Sequence, residues 1–169
     1  HYHQESFLIQ VISLEKKIET LHITRSGEGA ADRLTEEAND VNRQRNEITT
    51  LSNLALQLYQ WYVKHGHARN IKDEKGVREF FKQNLQIDTT NLTGFYQMLY
   101  LYQSYCWYAF IRQDFLMYYR YSKKWVDLFN QEPLMITVET GHYIKGLHNL
   151  LTANFDLRNF RKFDKYIAR

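Results

Sequence analysis

Apolar residues recur at helical spacing along almost the whole chain. Phe7, Val11, Leu14, Ile18 and Leu21 follow one another at steps of three and four, which predicts an amphipathic helix of about five turns. Gly27 and Gly29, within Thr24-Arg25-Ser26-Gly27-Glu28-Gly29, predict a loop after it. Leu34, Ala38, Val41, Ile48 and Leu51 resume the stripe, with Arg45 in its one polar slot, and Leu54, Leu58, Trp61 and Tyr62 continue it. Residues 31–65 therefore form one long helix or two nearly joined. A break would fall at Thr49-Thr50-Leu51-Ser52, because Thr and Ser favour caps over helix interiors.

A polar loop is expected from Lys64 to Gly76, then a short helix carrying Val77, Phe80, Phe81 and Leu85. Thr89, Thr90 and Asn91 offer caps for a helix running to about Arg112. Gln113-Asp114 makes a tight turn into a helix from Phe115 to Phe129, which Pro133 closes because proline cannot continue the ladder. Helices over 137–153 and 156–167 complete the chain. No segment keeps the period-two alternation of a half-buried strand, and no Asn-Gly or Asp-Gly hairpin turn occurs. The expectation is an all-α fold of seven or eight helices, mostly antiparallel neighbours because their connections are short.

Composition narrows the class. With 44% hydrophobic and 24% charged residues, the 169-residue chain is a folded one, expected to form a single domain over 1–169. One cysteine, Cys106, excludes a disulfide framework within the chain and any multi-cysteine zinc site. No apolar run approaches the ~20 residues of a membrane helix, so membrane insertion is not expected. A net charge of +3 does not announce a nucleic-acid binder, and nucleic acid is not an expected partner. The first residue is His1 rather than Met and no targeting pattern follows it, which suggests a fragment of a larger protein with a cytoplasmic location.

The helices repeat. At an offset of 42, Tyr105, Tyr108 and Ala109 fall on Leu147, Leu150 and Leu151, Asp114 on Asp156, and Phe115, Tyr118, Tyr121 and Trp125 on Leu157, Phe160, Phe163 and Ile167. At an offset of 47, Leu54, Leu58 and Trp61 fall on Leu101, Tyr105 and Tyr108. Helix-pair units are expected at 6–48, 51–88, 95–132 and 137–168. A period of about 40–47 residues means hairpins that cannot bury their own apolar faces and stack on their neighbours.

The stretch from Tyr102 through Pro133 resembles a tetratricopeptide-repeat hairpin. It has aromatic and small residues on the first helix, the acidic turn Gln113-Asp114-Phe115, aromatics on the second helix and a proline after it. Residues 143–168 repeat the scheme without the proline. Tyr118 and Tyr121 stand where that family usually has small residues, and the period exceeds its usual length. The resemblance implies a right-handed stack of three to four antiparallel helical hairpins, a tetratricopeptide-like α-α superhelix whose concave face, lined by first helices, binds peptides or protein segments.

Chemistry-bearing motifs are sparse. His1 and His3 lie at one end, His65 and His67 flank Gly66, and His142 and His148 are six apart, none of which is a metal-ligand spacing on a helix. Neither a nucleophile elbow nor a glycine-rich phosphate loop occurs. No metal, cofactor or catalytic residue is assigned. Cys106 sits between Tyr105 and Trp107 in an apolar helix, the setting of a buried, inert thiol. That helix also carries Tyr96, Tyr100, Tyr102, Tyr108 and Phe110 on more than one face, so it is expected to be buried on several sides, with some tyrosines free to line a groove.

The function expected from these features is a non-enzymatic protein- or peptide-binding scaffold within a larger bacterial protein. Gln57, Gln60 and Lys64, off the Leu54/Leu58 stripe, and Gln103 and Arg112 on the later first helix are the groove candidates. The last helix sets Arg158, Arg161, Lys162 and Lys165 opposite Leu157, Phe160, Phe163 and Ile167, a basic face suited to an acidic partner. The Phe7–Leu21 helix suits pairing with a copy of itself. Two other classes are a peptide-sensing regulatory domain of a signalling protein, and an enzyme with a spatially assembled site drawing on His142, His148 or Asp114.

Overall fold

Helical periodicity is realised as seven α-helices, with no strand among the described residues: α1 (Glu5–Leu21), α2 (Ala30–His65), α3 (Ile71–Asn84), α4 (Phe95–Ile111), α5 (Phe115–Gln131), α6 (Leu134–Val138) and α7 (Thr140–Asp156). The structure is a computed structural model that describes residues 5–22, 27 and 29–160. The chain parts into two compact units, 1–49 and 50–169, where composition alone suggests one domain. α2 contributes its first half to one unit and its second half to the other.

In the first unit, Ile12 of α1 is buried with Ala38 and Val41 of α2, and Ile9 packs beside them. Of the predicted apolar stripe, Phe7, Leu14, Ile18 and Leu21 are exposed. The facing part of α2 offers only Ala38 and Val41 as buried apolar partners, with Arg45 exposed in the next slot, so the seam is narrow and takes the Ile9/Ile12 edge. α2 runs without a break through 49–52. Thr49 donates its hydroxyl to the Arg45 carbonyl at 2.9 Å and is thereby accommodated inside the helix.

The second unit is built around α4. Buried residues occur on every side of that helix, among them Phe95, Leu99, Leu101, Cys106, Tyr108, Ala109 and Ile111. On one side Leu54 and Leu58 of α2 and Val77 and Phe81 of α3 enclose Tyr108 and Ile111. On another, Trp125 and Phe129 of α5 and Ala153 of α7 join Phe95, Leu99 and Ala109. Each fully buried aliphatic or aromatic side chain contributes roughly 1.5–3 kcal/mol, which is why an all-apolar helix takes the middle position.

Local chemistry sets the helix ends. α3 begins earlier than expected, at Ile71, because the Asn70 side chain accepts the Asp73 N–H at 2.9 Å while the Asp73 carboxylate accepts the Arg69 N–H at 3.2 Å. Asp114 caps α5 by accepting the Met117 N–H at 3.0 Å. Pro133 does more than close α5: it caps the short α6, and α7 then starts at Thr140 rather than 137.

The ends of α4 and α7 are superposable in their bonding. Arg112 N–H donates to Tyr108, Gln113 to Phe110 and Asp114 to Ala109; Leu157 donates to Ala153, Arg158 to Phe155 and Asn159 to Asn154. Gln113 and Arg158 are left-handed, at φ 55° and 54°. Both helices are 17 residues long, and the equivalence runs at an offset of 45 from Gln113 to Arg158. Asp114 therefore corresponds to Asn159, not to Asp156, which is the last residue of α7. α2 ends on a third left-handed residue, Gly66 at φ 72°, whose N–H donates to Tyr62.

Candidate functional site

A recess of the second unit opens where α2, α4, α5 and α7 converge, with a volume of about 290 Å³. Tyr59 of α2 and Trp107 of α4 form one wall, their ring centroids 4.8 Å apart. Phe110 continues it, 6.0 Å from Trp107, and Tyr118 of α5 lies 5.3 Å beyond Phe110. Lys145, His148, Asn149 and Thr152 line the opposite wall. Positions 145, 148, 149 and 152 are three and four apart, so one face of α7 supplies them all.

Two features set the chemistry. The Lys145 ammonium stands over both rings, 5.9 Å from Tyr59 and 5.8 Å from Trp107. No carboxylate among the described residues pairs with it, and the exposed ammonium meets solvent and the two ring faces. The Tyr118 hydroxyl donates to Asn149 Oδ1 at 3.2 Å, which leaves the Asn149 amide hydrogens as donors. Aromatic walls with one cation and an amide suit a flat or apolar group that carries an anion.

Cys106 lies at the floor of the recess. Burial pushes its thiol up to about 12, and Ser122 Oγ, 3.6 Å away, only partly offsets this. A thiol held neutral in that way has no nucleophilic character near pH 7. Tyr118 is likewise pushed up, first by burial and then by the neighbouring Cys106 and Asp156.

The groove candidates separate. Gln57, Gln60 and Lys64 are exposed on α2, the helix that carries Tyr59. Gln103 is buried, and its Nε2 has no hydrogen-bond partner among the described residues. Arg112 has a side chain only 17% exposed, which bonds Glu74 of α3 at 2.8 Å and covers the Tyr108 ring at 5.0 Å. Arg112 and Arg78 together hold the Glu74 carboxyl below its ordinary value. Arg158 is exposed but belongs to the left-handed turn after α7 rather than to a helix face. Arg161, Lys162 and Lys165 lie outside the described residues.

The histidines and Asp114 occupy separate settings. His142 Nδ1 meets Glu139 at 2.8 Å, and Glu139 also accepts the Tyr96 hydroxyl at 2.8 Å. His148 lines the recess, while Asp114 is engaged as the α5 cap. No group of three His, Cys, Asp or Glu that could hold a metal ion occurs among the described residues, and no described helix is long and apolar enough to cross a membrane.

Sequence reasoning did not single out Tyr59, Lys145, Asn149 or Thr152. The available signal was on α2: Leu56, Tyr59 and Val63, spaced three and four apart and off the buried Leu54/Leu58 stripe, are all exposed. A second apolar stripe on an already buried helix marks a face with a further use. The chain matches no protein-family model, no curated protein and no solved structure.

Proposed function

We propose that this protein is a non-enzymatic peptide- or protein-binding module of the tetratricopeptide-like kind, with the Tyr59–Trp107–Lys145 recess as its ligand site. The observation that carries the reading is the exposed Lys145 ammonium, without a carboxylate partner among the described residues, set over two aromatic rings at the mouth of a concave site. The exposed Leu56, Tyr59 and Val63 extend the recess into an apolar track along α2, with Gln57, Gln60 and Lys64 as polar flanks. The ligand would place an aromatic or branched side chain between Tyr59 and Trp107 and an adjacent carboxylate against Lys145. The repeated left-handed ends of α2, α4 and α7 support a hairpin-repeat origin for such a surface.

Peptide display on the 169-residue chain tests the proposal. Enriched sequences should pair an aromatic or aliphatic residue with a neighbouring acid or a free C-terminus. Their affinity should fall at least tenfold, about 1.4 kcal/mol, in Lys145→Gln and in Tyr59→Ala. An absence of enrichment, or ligands indifferent to both substitutions, would overturn the recess as the site.

A further inference from the structure

We propose that α1 is a dimerisation helix that pairs in parallel with α1 of a second copy of this chain. An apolar stripe of regular four-three spacing runs along the helix: Phe7, Val11, Leu14, Ile18 and Leu21, of which Val11 is half-buried. Phe7, Leu14, Ile18 and Leu21 are 61%, 58%, 59% and 78% exposed, while α1 uses the separate Ile9/Ile12 edge to pack on α2. The helix therefore has one seam filled from within the chain and a second that is open. In heptad register, β-branched Val11 and Ile18 take the a positions, and Phe7, Leu14 and Leu21 take d. β-branched a with leucine at d is the combination that favours two parallel strands over higher assemblies, so the stripe selects a second α1.

The flanks agree with that partner. In a parallel pair Gln10 of one copy faces Glu15 of the other, an amide against a carboxylate, while Lys17 faces His22 and adds no charge pairing. No two acidic residues are opposed. The four exposed side chains present on the order of 100 Å² each, so two stripes bury roughly 800 Å², the size of a weak, transient interface. The pair is accordingly a weak, concentration-dependent dimer.

Sedimentation equilibrium of the 169-residue chain from about 10 μM to about 1 mM, the range of weak association, tests this. Dimers should form and dissociate on dilution. Leu14→Asp combined with Ile18→Asp should be monomeric throughout with unchanged helical circular dichroism, because both side chains are exposed. Leu21→Cys should cross-link to itself under mild oxidation, since a parallel pair brings the two d positions within disulfide reach. An antiparallel pair would hold them about 20 Å apart. The buried Cys106 does not compete. A chain monomeric at about 1 mM, a dimer that survives the double Asp substitution, or a dimer in which Leu21→Cys fails to cross-link would each overturn the proposal.

Discussion

Gly146 of α7 stands directly against the indole of Trp125 in α5: a Cβ at residue 146 would lie 3.0 Å from both Cδ1 and Nε1 of that ring. Trp125 is 1% exposed and cannot swing away. Lacking a side chain at this one position, α7 approaches α5 across the largest side chain of the core. Gly146→Leu should therefore destabilise the second unit by about 1–3 kcal/mol, the usual cost of overpacking a filled core. Gly146→Ala should fall near zero, because a helix-propensity gain of about 1 kcal/mol offsets the crowding. Urea unfolding followed by circular dichroism distinguishes the two, and a neutral Gly146→Leu would mean that the α5–α7 contact is looser than these distances imply.

The left-handed turns after α4 and α7 make a second prediction. Gln113 and Arg158 hold φ values near 55° that glycine adopts without a Cβ penalty. Each Gln113→Gly and Arg158→Gly should raise stability by about 0.5–1 kcal/mol, the penalty relieved less the entropy of a more flexible unfolded chain. Gln113→Val should lower it. A shift in urea midpoint at constant slope is the readout. Equal stability of the glycine and valine variants would contradict the turn geometry.

Those turns show what was legible in the sequence. Core-facing residues suggested an offset of 42, whereas the matching helix ends of α4 and α7 lie 45 apart, so sliding Asp114 onto Asp156 misplaced the turn by three residues. Helical periodicity tolerates shifts of three or four, whereas the turn is fixed by backbone bonds to Ala109 and Asn154 that leave no side-chain signature. Helix existence and the central place of α4 followed from apolar pattern alone. Which residues of each helix were free did not: Gln103 shares a helix face with Trp107 and Phe110, which line the recess, yet Gln103 itself is buried. Likewise Lys145 and Tyr59, 86 positions apart in the numbering, meet only through packing that spacing within one helix cannot reveal.

Gln103 yields a third prediction. Its Nε2 is buried without a partner among the described residues, and an unsatisfied buried donor costs roughly 1–3 kcal/mol. Gln103→Met, of similar length and without that donor, should be neutral or stabilising by about 1 kcal/mol, and should leave peptide binding at the Tyr59–Trp107 recess unchanged. Loss of ligand affinity with intact stability would restore Gln103 to the groove.

Cys106 bears on reactivity. With its thiol pushed up to about 12 by burial, the thiolate fraction at pH 8 is on the order of one in ten thousand. A chromogenic thiol reagent at pH 8 should react with Cys106 only as fast as the second unit opens. In denaturant the reaction should be complete within the mixing time of a manual assay. Rapid labelling of the native chain would show that the recess floor admits solvent.

The Glu74–Arg112 pair ties α3 to the end of α4, and its pH dependence has a definite sign. Hydrogen bonds from Arg112 and Arg78 lower the folded-state pKa of Glu74 below the ordinary 4.5. A carboxyl with a depressed folded value contributes fully to stability above its unfolded value, and that contribution is lost as pH falls through the folded value. Wild type should therefore exceed Glu74→Gln in thermal midpoint at pH 7, and the difference should shrink below about pH 4.5. High salt should diminish it as well, because the carboxylate side is open to solvent. Arg112→Met keeps much of the stem over Tyr108 but removes the charge, so it should reproduce the pH profile of Glu74→Gln while largely retaining the ring contact. A midpoint difference that persists unchanged at pH 3 would show that Glu74 acts through packing rather than charge.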